Sequence, residues 1–372
     1  MTVPFFRSPW QDPASAALLG GRFARILQSG HYILGVNARD FEQSLAHRLR
    51  RPKGVVALNS GTDALVLALR LLDLQPGDEV ILPSYTFIAC FEAVVRAGAV
   101  PVLCDSQADD FLASEAEVSA CIGPRTRAVM AVPLFGDASA IPSIAADCRH
   151  RGIPLIEDVA QALGARARLQ GQGWRAAGTL GDVATFSFYP TKTLGAPGDA
   201  GGLSSPHATF IERAISLRNH GLHQGSHAEA GYNSRMGEFQ AAALVHGLGR
   251  LDDWLDQRRH IAQRYLAGLA GLPGIALPRD SDGHAWNYFV LRSAQRDRLR
   301  AALAQEGVDT RIYYSQPIHQ QPAYLRHFPA LDLPNAQAHA RQALALPIFA
   351  GMSDAEVEQV IHAVARAARH VR

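Results

Sequence analysis

Short apolar runs separated by amphipathic stretches set the rhythm of this chain. Residues 55–58, 79–82, 100–104, 128–132, 153–156, 183–188 and 201–204 have the length and composition of buried strands. Helix-like segments such as 63–72 and 141–151 fall between several of them. Phe41, Leu45 and Leu49 recur at i, i+4 and i+8 on an otherwise polar stretch, which predicts an amphipathic helix. A helix begun at Ala14 is expected to stop where Gly30 and Gly35 interrupt it. The alternation predicts an α/β domain: a mostly parallel sheet of the seven-stranded type, sandwiched by helices and joined by right-handed crossovers.

Near residue 250 the pattern turns to long charged helices. The stretch 236–269 carries Phe239, Ala243, Leu251, Leu255 and Ile261 among arginines and reads as a helical link. A strand (286–291), a helix (297–306) and a strand (308–313) follow. The last helix opens with the capping box Ser353-x-x-Glu356 and buries Val357, Val360, Ile361 and Val364. The organisation predicted is a large α/β domain over 1–249 and a small α+β domain over 250–372.

Composition narrows the class. A chain of 372 residues, 48% hydrophobic and 19% charged, has ample apolar material for two cores and no signature of disorder. Its 36 basic and 34 acidic residues are interspersed, so no field strong enough to hold nucleic acid is implied. Cys90, Cys104, Cys121 and Cys148 form no CxxC pair and mostly lie in apolar or helical runs, which favours reduced core thiols. The first residues, Met1-Thr-Val-Pro-Phe-Phe-Arg7, do not have the charged n-region and apolar h-region of a signal peptide, and no run nears the ~18 apolar residues of a membrane span. A soluble cytoplasmic protein is expected.

Candidate chemistry concentrates around one lysine. An apolar run stops at Pro190, and Lys192 follows in an irregular segment that can aim its amine. Taken alone, such a lysine most often keeps a surface loop solvated. Upstream, however, the run 153–156 ends in Glu157 and Asp158, with Gln161 three positions beyond Asp158. Ligands collect at strand ends of an α/β sheet. A lysine amine forms Schiff bases, and pyridoxal phosphate (PLP) pairs such a lysine with an acid at its ring nitrogen. The turn Asn59-Ser-Gly-Thr62 feeds a helix whose free N–H groups suit a phosphate, or it is an ordinary N-cap.

Ser187-Phe-Tyr-Pro-Thr-Lys192-Thr-Leu-Gly195, with Gly198-Asp199-Ala-Gly-Gly202 after it, resembles the lysine motif of the DegT/DnrJ/EryC1/StrS family of PLP-dependent nucleotide-sugar aminotransferases. Asn59-Ser-Gly-Thr-Asp-Ala-Leu65, Glu157-Asp-Val-Ala-Gln161, Leu217-Arg-Asn-His-Gly221, Gly231-Tyr-Asn-Ser-Arg235 and Leu346-Pro-Ile-Phe349 match the same family in the same order. The resemblance implies PLP fold type I and catalytic roles for Lys192 and Asp158. It implies that Gly61, Thr62 and Ser187 hold the cofactor phosphate, that Phe87 stacks on the ring with Tyr85 as the fallback, and that Gln161 contacts the ring near its phenolic oxygen. Asn233 matches a position that reaches the neighbouring subunit's phosphate, which implies a homodimer, and His319 matches a substrate-side loop. Thr193 and Ala200 depart from the commonest family pattern, with a bearing on substrate choice.

The reaction implied takes an amino group, from glutamate, to a keto group of a nucleotide-linked sugar, a 3-keto sugar being preferred. The alternatives are a 4-keto sugar, a PLP-dependent sugar dehydratase, in which histidine replaces the lysine, or a non-catalytic PLP-binding regulator. His220 and His223 have helical metal-ligand spacing but no evident third ligand, so no metal is expected.

Overall fold

The computed structural model describes residues 2–51, 54–169, 171 and 173–370. Its centre is a seven-stranded sheet of β1 (Val55–Leu58), β2 (Glu79–Pro83), β3 (Val100–Cys104), β4 (Thr126–Ala131), β5 (Leu155–Asp158), β6 (Val183–Ser187) and β7 (Gly201–Ser204). Their spatial order is β1-β7-β6-β5-β4-β2-β3. Strand β7 is antiparallel to both β1 and β6, and the remaining pairs are parallel. Strands β1, β5 and β7 are buried along their whole length, the reason their sequences read as continuous runs rather than alternations.

Successive side chains of a strand feed opposite cores. Val56 and Leu58 join one with helices α3 (Gly61–Arg70) and α4 (Ala89–Arg96). Val55 and Ala57 join the other with α2 (Val36–Arg48) and α5 (Ile141–Arg151). Helix α1 (Pro13–Ser29) ends at Gly30, whose φ of 67° makes a left-handed cap. Its internal Gly20 and Gly21 do not break it.

The stretch 236–269 is two helices, α6 (Glu238–Leu248) and α7 (Leu251–Gly268), separated at Gly249, which ends the first. The expected domain boundary falls between them. A third core joins Ile261 and Tyr265 of α7 to Phe289, Leu291, Leu299, Val357, Val360 and Val364. Val3 belongs to this core as well and bridges Val308, so the start of the chain crosses the boundary. The strand expected over 308–313 does not form. That segment divides its bridges between Val3 and Ala345, and no continuous ladder can build on two partners. The capping box is present: Glu356 N–H donates to Ser353 Oγ at 3.3 Å, and Ser353 N–H to Glu356 Oε2 at 2.8 Å. Two hairpins, Arg166–Leu169 with Gly173–Ala176 and Leu222–His223 with Ser226–His227, are additions the pattern did not predict.

Candidate active site

Parallel strands β2, β5 and β6 deliver their C-terminal ends to one side of the sheet, next to the start of α3. Asp158 is the last residue of β5 and is 6% exposed. Its Oδ1 accepts from Ala160 N–H at 3.1 Å and from Thr185 Oγ1 at 3.5 Å, and its Oδ2 from the Cys90 thiol at 3.2 Å. Burial pushes this carboxyl above the usual range, opposed by the Cys90 thiol, the Ala160 N–H and the positive charge of Lys192. No lysine or arginine among the described residues makes a salt bridge with it. A buried carboxylate held by neutral donors alone calls for a cationic partner.

The neighbouring carboxylate has another task. Glu157 points to the opposite face and accepts N–H bonds from Gly178 (2.8 Å), Leu180 (2.7 Å) and Gly181 (2.6 Å). It fixes the turn into β6.

Lys192 lies in a loop folded tightly on itself. Lys192 N–H donates to Tyr189 O at 2.9 Å and Ala196 N–H to Phe188 O at 2.7 Å. A Cβ on Gly195 would come within 2.3 Å of Pro190 O, so the motif glycine is what lets this loop close. Thr193, one of the departures from the family pattern, is buried, donates from Oγ1 to Leu163 O (3.2 Å) and from its N–H to Asn287 Oδ1 (3.1 Å). It anchors the loop. Ala200, the other departure, is buried, and its carbonyl accepts from Phe188 N–H at 2.8 Å.

An anion cradle stands beside these groups. Ser60 caps α3, its Oγ accepting from Asp63 N–H at 3.1 Å and its carbonyl from Ala64 N–H at 3.1 Å. The Gly61 and Thr62 N–H groups at the helix start then have no intrahelical acceptor. A Cβ on Gly61 would sit 2.8 Å from Ser187 Cβ, and one on Gly201 would sit 2.2 Å from the Ser60 carbonyl carbon. Both glycines are needed for the helix start and the ends of β6 and β7 to meet. PLP, a phosphate at one end and a basic ring nitrogen at the other, fits a cradle of N–H and hydroxyl donors paired with an isolated buried carboxylate.

The other expected residues are distributed unevenly. Phe87 is 51% exposed, with its ring 5.8 Å from that of Tyr314. Tyr85, the fallback, is in the core, its hydroxyl donating to Tyr313 O at 2.5 Å. Gln161 is buried, accepts Phe135 N–H at 2.9 Å and donates to Tyr314 hydroxyl at 2.9 Å. Asn233 is exposed and is held by Arg235 at 2.7 Å. His319 is not on an open face: it is 2% exposed, with Nδ1 2.7 Å from Ser84 Oγ and Nε2 3.4 Å from Gln337 Nε2. Burial depresses its imidazole, and the ring ties the 318–320 turn to the end of β2.

Cys90, which the sequence gives only as a core thiol, and Thr185 and Tyr314 are not among the site residues that the sequence suggests. Each is chemically plain by itself and joins the site only through packing. A cleft of about 1140 Å³ with Arg48, Arg51, Arg149 and Arg175 in its walls lies at the opposite strand ends, where β5 and β6 begin. Among the described residues no cluster of histidine, cysteine and carboxylates could hold a metal ion, and no helix is long and apolar enough to cross a membrane.

The sequence model of the DegT/DnrJ/EryC1/StrS aminotransferase family matches residues 18–365. A dTDP-3-amino-3,4,6-trideoxy-alpha-D-glucose transaminase of Streptomyces venezuelae is 42% identical over 353 residues, 94% of this chain and 91% of that one. A UDP-N-acetyl-3-dehydro-alpha-D-glucosamine 3-aminotransferase of Acidithiobacillus ferrooxidans is 38% identical over 345 residues, 92% and 91% of the two chains. The crystal structure of S. venezuelae DesV superposes with a TM-score of 0.93 at 40% identity, covering 99% of this chain and 98% of that one. Matching its relatives along nearly its whole length, in sequence and in fold alike, the chain belongs to the DegT/DnrJ/EryC1/StrS aminotransferase family.

Proposed function

We propose that this protein is a PLP-dependent aminotransferase that takes an amino group from glutamate and delivers it to the 3-keto group of a nucleotide-linked sugar. The observation that carries the reading is the isolation of Asp158 at the end of β5: a buried carboxylate whose hydrogen-bond donors are all neutral and which feels the charge of Lys192. The preference for carbon 3 is supported by the relatives from S. venezuelae and A. ferrooxidans, whose names place an amino or keto group there.

When bound, PLP supplies an aldehyde that carries the amino group and a ring that draws electrons from the reacting carbon. In our reading the Lys192 amine is the covalent anchor and then moves a proton at Nζ. The Asp158 carboxylate holds negative charge beside the ring nitrogen. The Gly61 and Thr62 N–H groups and Ser187 Oγ bind the phosphate, Phe87 covers the ring, and Gln161 contacts it as a neutral amide. We place Asn233 at the phosphate of a partner subunit. Leu27 on α1, Ile33 in the connection that follows and Val36 at the start of α2 are exposed apolar side chains, which supports a homodimer. The free cysteines suit a reducing, cytoplasmic setting.

The test is spectroscopic. Glutamate added to the holoenzyme should convert its visible absorption band, and a 3-amino nucleotide sugar should do the same while its 4-amino isomer does not. Conversion by the 4-amino sugar alone would move the reaction to carbon 4. No conversion by glutamate or either sugar would leave a cofactor binder that is not a transaminase.

A further inference from the structure

Cys90 is wholly buried in the first turn of α4, its N–H donating to Phe87 O at 3.2 Å, and its sulfur bridges two groups. Sγ is 3.2 Å from Asp158 Oδ2 and 3.7 Å from Thr86 Oγ1. A carboxylate only accepts, so the thiol hydrogen points to Asp158, and the Thr86 hydroxyl must then be the donor to sulfur. The direction Thr86 to Cys90 to Asp158 is therefore fixed by the acceptor at its end. Burial pushes the thiol well up, and the Asp158 charge adds to it, so the hydrogen stays on sulfur.

We propose that Cys90 is a positioning residue: its thiol holds Asp158 Oδ2 in place as a weak, uncharged donor and leaves most of the carboxylate charge for a cofactor ring nitrogen. The inference rests on the reading of Asp158 given above. Sulfur serves here for a physical reason. Oδ1 already has the Ala160 N–H, and a cationic donor on Oδ2 would consume the charge that the ring nitrogen needs. With no donor, Oδ2 would be buried with an empty lone pair and free to rotate. A thiol satisfies the oxygen at low cost in charge.

The test uses holoenzyme reconstituted with PLP labelled with ¹⁵N at the ring nitrogen. The ¹⁵N resonance reports how strongly the carboxylate holds the ring proton. D158N should displace it most, C90A should displace it in part, and C90S, which restores a donor, should return most of the C90A displacement. Cofactor affinity should fall about fivefold in C90A, the scale of one modest hydrogen bond. The infrared S–H stretch provides a second readout, since a donated thiol absorbs at lower frequency than a free one. A low-frequency band should be present in the wild type, absent in C90A and shifted upward in D158N.

If D158N displaces the resonance but C90A does not, the role of Cys90 is overturned and that of Asp158 stands. Equal displacement in C90A and C90S would show that only packing was lost, which also overturns it. If D158N leaves the resonance in place, the underlying reading of Asp158 is what has failed.

Discussion

Glu157 and Asp158 are adjacent in sequence and opposed in role because a strand sends successive side chains to opposite faces. One faces backbone N–H groups that must be satisfied, the other the proposed cofactor ring. The contrast gives a paired prediction. D158N should fold and bind cofactor but lose at least ~100-fold in turnover, the scale on which removal of one preorganised charge acts. E157Q cannot accept all three N–H bonds and should cost about 3 kcal/mol of stability, read as a fall in Tm, while its folded fraction turns over normally. Near-normal turnover in D158N would place the electron-drawing charge on another residue. The two carboxylates after an apolar run were legible in the sequence; which of them faces the site was not, since that depends on the register of β5 between β4 and β6.

At the scale of elements, the site depends on helix starts held by side chains from far along the chain. Glu238, at the start of α6, accepts from Gly35 N–H (2.8 Å), Asn37 N–H (2.8 Å), Asn37 Nδ2 (2.8 Å) and Ala38 N–H (3.0 Å) and so caps α2 from two hundred positions away. Glu238 also follows closely on Asn233, so the cap fixes where that exposed amide emerges. E238A strands those donors and should lower stability by about 2–4 kcal/mol, with hydrogen exchange accelerating first in α2 and in residues 231–237. Unchanged exchange in α2 would show that water replaces the carboxylate. Sequence pattern placed α2, through Phe41 and Leu45, but not its cap: Gly35 carries no side-chain acceptor, and the true one is remote.

For the whole molecule the open question is whether a site is completed by a second copy. If Asn233 serves the partner's phosphate, the defects of K192A and N233A fall in the same site of a mixed dimer, and the other site is then intact. Mixing and reassembling the two variants should recover about a quarter of wild-type activity from an equal mixture of subunits. If Asn233 serves its own chain, every site in the mixture carries a defect and no activity returns. Ultracentrifugation of the unmixed variants establishes that both assemble.

The sequence by itself determined the layered α/β architecture and the strands of the sheet to within a few residues, and it marked Lys192, Asp158 and the Gly61 turn as the candidate chemistry. These are local properties: apolar run length, turn glycines and motif spacing act over a few residues, and the chain carries them wherever it folds. Only the tertiary structure decided what those residues touch. It buried His319 against Ser84, gave Thr193 an anchoring role, set Cys90 on Asp158 and brought Val3 into the C-terminal core. Each of these joins positions far apart in the chain. Such pairs are fixed by strand order and packing, which no local pattern encodes.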